Sequence, residues 1–248
     1  MNFDKIITKL ELKHKNIKFN SKKLIKKEFF LKESSKELFI LIPSWHGHFS
    51  YFTLLKNRLF KSGYSCLEYT FSPLILSENI LLTKKCFNLI RDNIKVDIKN
   101  MKKKYKFSKI NIIAASLGCV NALMIANKNS NINKIVLIVP GHCLAEDLWL
   151  GIRTQDIRKK LEFNRITLKK LKKSWKNLAP ENNLSGLKNK EFKVYLSQSD
   201  EVIPYYSGKK LVTKMKKLHV NLKVKENKSL GHYLTILRFL LFPEISKI

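Results

Sequence analysis

From Glu37 to Ile42 the chain is apolar at almost every position, a pattern that predicts a strand covered on both faces of a sheet. Residues 65–71, 110–113, 134–139, 192–196 and 220–225 predict further strands. Helical spacing fills the stretches between them. A helical pattern runs through Tyr51, Leu54, Leu55, Leu59 and Phe60, ended by Gly63. Leu82, Cys86, Leu89, Ile90, Ile94, Ile98 and Met101 line one side of a long amphipathic helix over residues 81–105, with lysines between them. Residues 120–126, 205–218 and 233–242 predict three more helices. Strands alternating with helices imply an α/β fold with a mainly parallel central sheet flanked by helices. Upstream, residues 12–19 and 27–31 read as two short strands joined near Asn20 and Ser21, a hairpin. Between residues 142 and 190 the rhythm changes, and helical patches at 144–152, 157–161 and 168–178 follow one another with no strand pattern. They fall between two sheet strands, where a small helical lid would be inserted into a single domain of residues 1–248.

Composition narrows the class. A hydrophobic content of 44% is ordinary for a globular chain. No apolar run reaches about 18 residues, so a membrane-spanning helix is not expected. Residues 1–15 mix charges with single apolar side chains and lack the apolar core of a secretory leader. Cys66, Cys86, Cys119 and Cys143 are widely spaced, without a CxxC pair. That spacing argues against a disulfide framework or a zinc site and suits a reducing, cytoplasmic compartment. The net charge of +30 invites a polyanion reading, yet only six of the 49 basic residues are arginine. Arginine is the residue suited to bidentate phosphate and base recognition. Lysines spread along the whole chain, beside abundant Asn and Ile, fit compositional drift with a solvated surface. No specific nucleic-acid partner is expected; weak, salt-dependent attraction to anionic surfaces is.

The stretch with the most chemical content is Ile110-Asn111-Ile112-Ile113-Ala114-Ala115-Ser116-Leu117-Gly118-Cys119. A β-branched run ends in small residues around Ser116, and a helical run follows. This is the layout of a nucleophile elbow, G-x-S-x-G, with Ala114 in place of the first glycine. Small neighbours are needed because the turn holds its serine in strained φ/ψ space. Two further pieces lie beyond later strands: Asp200, in Ser197-Gln198-Ser199-Asp200-Glu201-Val202-Ile203-Pro204, and His232, in Ser229-Leu230-Gly231-His232-Tyr233. Each alone has a plainer reading, Ser116 as a packing turn, Asp200 as a turn-former beside Pro204, His232 as a loop residue. Together they supply a nucleophile, an orienting carboxylate and a base on one edge of the sheet. Glu201, Glu146 and Asp147 remain alternative acids. Cys119 suits packing within the elbow helix.

From about residue 36 to the end the sequence resembles the α/β-hydrolases. The order Ser116, Asp200, His232 is that family's, and the D-x-x-x-P and Gly-His segments match its acid and histidine loops. The resemblance implies an α/β-hydrolase fold, a Ser-Asp-His triad and an oxyanion hole. One donor would be the N–H of Leu117. The other would come from the loop after the first buried strand, where Pro43-Ser44-Trp45 makes Trp45 the donor and the His46-Gly47 pair would make it His48. His46, His48 and His142 could suggest a metal site, but no carboxylate or cysteine stands at ligand spacing beside them. No metal or cofactor is implied.

A serine at the elbow disfavours the dehalogenase and epoxide-hydrolase chemistries of that family, which need aspartate there. The expected function is hydrolysis of a small-molecule carboxylic ester or thioester through an acyl-enzyme. Leu144, Leu148, Trp149, Leu150, Ile152 and Trp175 are candidates for an apolar pocket wall, with Leu148 and Trp149 expected against the substrate. An alternative is a catalytically idle member of the fold that binds a ligand or a membrane surface, with the apolar residues 234–242 at that surface. The sequence does not speak to oligomeric state.

Overall fold

The computed structural model describes residues 24–47, 51–127 and 129–243. Seven strands form one sheet: β1 (Ile25–Phe30), β2 (Glu37–Ile42), β3 (Ser65–Phe71), β4 (Lys109–Ala115), β5 (Ile132–Ile138), β6 (Glu191–Ser197) and β7 (Asn221–Asn227). Their order is β1-β3-β2-β4-β5-β6-β7. All pairs are parallel except β1–β3. Helices α1 (Thr53–Lys61), α2 (Ile80–Tyr105), α3 (Gly118–Ala126), α7 (Tyr205–Lys217) and α8 (Gly231–Leu241) flank it. Between β5 and β6 lie α4 (Leu144–Leu150), α5 (Gln155–Phe163) and α6 (Leu168–Ser174). The expected alternation of strand and helix is present throughout this order, and the stretch between β5 and β6 holds no strand among the described residues.

Two-sided covering explains the continuous apolar runs. Along β2, Leu38, Ile40 and Ile42 enter one core layer, and Phe39 and Leu41 enter the other. β5 divides likewise, Ile135 and Leu137 against Val136 and Ile138. The first layer contains Cys86, Phe87, Ile90, Ile94 and Ile98 of α2, most of α3, and Leu211, Val212 and Met215 of α7. The second is thinner, closed by Leu55 and Leu59 of α1 and by Ile236, Phe239 and Leu240 of α8. Each of those side chains contributes about 1.5–3 kcal/mol by leaving water. β7, at the edge, alternates half-buried Leu222 and Val224 with exposed Lys223 and Lys225, a charged edge that discourages further pairing.

Two expectations shift. The second strand of the predicted hairpin is β1, but it pairs antiparallel with β3, from Ile25 opposite Phe71 to Phe30 opposite Cys66. Residues 12–19 lie outside the described residues. The strand expected to reach Val139 ends at Ile138, because Val139 turns to φ +48° and sends the chain toward the insertion.

The insertion is fixed to the body by Trp175, which is 1% exposed and whose indole N–H donates to the Ile80 carbonyl at 2.9 Å. That contact joins the end of α6 to the start of α2. Trp175 was a pocket-wall candidate and instead packs in the core with Leu171, Leu178 and Leu184. Trp175→Ala is expected to lower stability by about 3–5 kcal/mol, the cost of a large buried aromatic, measured as a shift in urea midpoint.

Candidate active site

The chain reverses its direction of growth across the sheet at β2, with β3 on one side and β4 on the other. Loops leaving β2 and β4 therefore meet at a topological switch point, the usual place for a site in such a sheet. Ser116 stands at the apex between β4 and α3 with φ +52°, a left-handed backbone that costs a non-glycine residue energy. Its N–H donates to the Ile138 carbonyl at 2.8 Å, and its own carbonyl accepts from Cys119 N–H at 2.9 Å. Gly118 explains the need for small residues. A Cβ there would sit 2.5 Å from the Pro43 carbonyl oxygen and 2.6 Å from that of Ile42. The elbow thus touches the loop after β2 backbone to backbone. The Cys119 thiol is wholly buried under the turn, 3.4 Å from the Ala114 carbonyl.

The three residues read as a triad converge. His232 Nε2 lies 2.9 Å from Ser116 Oγ. His232 Nδ1 lies 2.8 and 3.0 Å from the two oxygens of Asp200. A carboxylate opposite Nδ1 favours the tautomer with Nδ1–H, leaving the Nε2 lone pair toward the serine hydroxyl. Asp200 Oδ1 also accepts from the N–H groups of Val202 and Ile203, at 2.9 and 2.8 Å. The side chains of His232 and Asp200 are 1% and 3% exposed, so their mutual bond is shielded from water. Gly231, at φ +63°, opens α8 and puts His232 in its first turn, with the Gly231 N–H on Ser199 Oγ at 3.1 Å.

The alternative acids have other partners. Glu201 accepts from the backbone N–H of His232 at 3.2 Å, away from the ring contacts Asp200 makes. Glu146 faces His142 Nε2 at 2.9 Å and pairs with Lys172. Asp147 Oδ1 lies 2.5 Å from Ser207 Oγ, and Ser207 Oγ lies 2.8 Å from His142 Nδ1.

A cavity of about 300 Å³ opens beside Ser116 and His232. Trp45 and Leu117, the expected oxyanion donors, both border it. The Trp45 indole is anchored by donating to the Pro73 carbonyl at 2.8 Å. His48, the other register, lies outside the described residues, and His46 borders the cavity at φ +64°. The walls are mostly apolar: Leu76, Val120, Leu144, Leu148, Val202 and Ile203. Leu148 lies on the cavity wall, but Trp149 does not line the cavity. One helical step turns it about 100° away, and its ring lies 5.5 Å from the Arg158 guanidinium. Leu150 and Ile152 are exposed. Asp147, Arg153 and Tyr233 border the cavity without having been expected there. Only the acidic pair Glu146-Asp147 just beyond β5 hinted at the first of them.

Protein surrounds Asp147, which keeps only a partly exposed edge on the cavity. Burial pushes its carboxyl up to about 7 against the Ser207 hydroxyl and the Cys143 N–H, with Glu146 and Asp200 adding to the rise. The hydrogen bond from Lys172 holds Glu146 below its ordinary value, while burial lowers His142.

This architecture, a mainly parallel sheet with serine, acid and histidine loops along one edge, is the α/β-hydrolase fold. No protein-family model matches the sequence, and neither does any curated protein. Solved structures do resemble it. The esterase Pf2001 of Pyrococcus furiosus superposes with a TM-score of 0.63 at 16% identity, over 90% of this chain and 82% of that one. Est1E from Butyrivibrio proteoclasticus, with ferulic acid bound, gives 0.66 at 13% identity, over 90% and 94%. The acetyl xylan esterase of Paenibacillus sp. R4 gives 0.66 at 11%, over 87% and 78%. At such identities the likeness is one of fold.

The raised Asp147 carboxyl carries a sign for stability. Between about pH 4 and pH 7 the native state holds a proton that the unfolded chain has released, so stability falls as pH rises through that window. A shift of this size is worth at most about 4 kcal/mol. In urea unfolding, Asp147→Asn is expected to gain on the native chain by up to that amount between pH 4 and pH 8. An unchanged difference between the two proteins would contradict it.

Proposed function

We propose that the protein is a serine hydrolase that cleaves small carboxylic esters through an acyl-enzyme on Ser116. The observation that carries this reading is the continuous chain Asp200–His232–Ser116, ending on a cavity beside the serine. As Ser116 Oγ attacks the ester carbonyl, His232 Nε2 takes its proton. The Asp200 carboxylate holds the ring and stabilises the imidazolium. The carbonyl oxygen, now charged, turns to the N–H groups of Leu117 and Trp45, which come from the elbow and the facing loop. His232 then returns the proton to the leaving alcohol, and water repeats the sequence to free the acid.

Substrate class follows from the walls. Apolar Leu144, Leu148, Val202 and Ile203 suit a hydrocarbon acyl chain, and about 300 Å³ lies at the small end of ligand pockets. A modest chain fits that space. The names of the structural neighbours, esterases in each case, favour oxygen esters over thioesters. Leu144 and Leu148 belong to α4, so the segment 142–190 acts as a lid over a single hydrolase domain of residues 1–248. A lysine-rich surface adds weak attraction to anionic interfaces that moderate salt removes.

A fluorophosphonate probe tests the nucleophile. Labelling is expected in the native protein and absent from Ser116→Ala and His232→Ala, each with 4-nitrophenyl ester kcat/KM reduced by about 10⁴-fold or more. Labelling that persists in Ser116→Ala would sink the proposal.

A further inference from the structure

Asp147 is an unusual wall residue, a carboxyl among leucines and valines in the cavity beside Ser116. Its place is built. A Cβ at Gly141 would collide with the carboxylate, so the glycine leaves room for it. Behind it runs a hydrogen-bonded chain from α4 to α7 and back. Asp147 Oδ1 lies 2.5 Å from Ser207 Oγ, Ser207 Oγ 2.8 Å from His142 Nδ1, and His142 Nε2 2.9 Å from Glu146 Oε2. Ser207 Oγ also accepts from His142 N–H at 2.9 Å, and Glu146 pairs with Lys172.

The chain can be counted in protons. Three contacts join four groups, and each contact needs one proton between its heavy atoms. Ser207 brings one and a neutral His142 brings another. The third must sit on a carboxyl or make His142 an imidazolium. Lys172 keeps Glu146 ionised, and burial disfavours the imidazolium. The third proton therefore belongs to Asp147, which donates to Ser207, which donates to His142, which donates to Glu146. Every lone pair and hydrogen of Ser207 is then used.

We propose that Asp147 is a specificity-determining residue: holding its proton against Ser207, it adds no negative charge to the cavity and admits acyl groups that end in a carboxylate, and on ionising it turns them away. This rests on the esterase reading above. An exposed carboxylate would be charged at every working pH, whereas the burial that raises this one to about 7 brings the change into the neutral range. The groups facing Asp147 are Glu146 and Cys143 on its own segment, Ser207 and Tyr206 on α7, and Asp200 after β6. Of these, Glu146 and Asp200 oppose its ionisation, in line with a held proton. Elsewhere on the cavity, Arg153 supplies a positive group for an acyl carboxylate to meet, beside His46 and His232.

The test compares kcat/KM for 4-nitrophenyl hexanoate and the 4-nitrophenyl hemiester of adipic acid, a neutral and an anionic acyl chain of similar length. Taking the ratio cancels the titration of the triad, which both esters share. The neutral-to-anionic ratio is expected to rise by up to about tenfold from pH 6 to pH 8 in the native protein, as the protonated fraction of a carboxyl at about 7 falls from about nine-tenths to about one-tenth. In Asp147→Asn, which keeps a donor toward Ser207, it should stay near its pH 6 value throughout. Carbon-13 titration of the side-chain carboxyls should show one resonance near neutral pH, missing from the variant. A flat native ratio, a variant that keeps the pH dependence, or a carboxyl titrating below pH 5 would each overturn the proposal while leaving the esterase reading intact. Absence of turnover of both esters, with the neutral-range resonance present, would remove the esterase reading and the selectivity with it.

Discussion

A serine held at φ +52° between a buried strand and a buried helix is the constraint on which the site depends. Left-handed backbone at a residue with a side chain is unfavourable, so its surroundings must over-determine it. Here the Ile138 carbonyl takes the Ser116 N–H, the Cys119 N–H takes the Ser116 carbonyl, and the end of β2 lies directly against Gly118. Three neighbouring strands thus meet at one turn. The same contact brings the Trp45 loop beside Leu117, so one packing requirement positions both the hydroxyl and the backbone facing it. Val139, a β-branched residue at φ +48° next door, adds to the strain of this region and starts the chain toward the insertion.

What was legible in the chain was what local pattern records. The buried strands announced themselves because both sheet faces are covered, which removes the polar half of the alternation. The convergence of Ser116, Asp200 and His232 was legible because each comes after a strand of the sheet, in that chain order. Asp200 shows that a plain and a chemical reading need not compete: its Oδ1 caps the turn at Val202 and Ile203 while the same carboxylate holds His232. The illegible parts are long-range. Nothing local tells β1 to pair with a strand some forty residues later, so a hairpin with its neighbour was the natural expectation. Leu148 and Trp149 were both expected against the substrate, but neighbouring helical positions face different ways, and of the two Leu148 borders the cavity. Ser207, sixty positions from Asp147, reads as an ordinary helical serine until α7 packs against α4.

The cavity joins two kinds of support. One side is the sheet edge and the loops around Ser116, fixed by backbone hydrogen bonds. The other is α4, held by the Asp147–Ser207–His142–Glu146 chain and, through α6, by Trp175 on α2. The apolar walls provide room, and the polar groups behind them decide how α4 sits.

His232 occupies the first turn of α8, whose next turns place Ile236, Phe239 and Leu240 in the thinner core layer against α1. The imidazole is thus carried by an element whose detachment would empty that layer. Fraying from the C-terminal end of α8 starts two turns or more away from the ring, whereas displacing its first turn requires the hydrophobic face to leave the sheet. On heating, the alignment of the imidazole with Ser116 and the integrity of that layer stand or fall together, as parts of one cooperative unit.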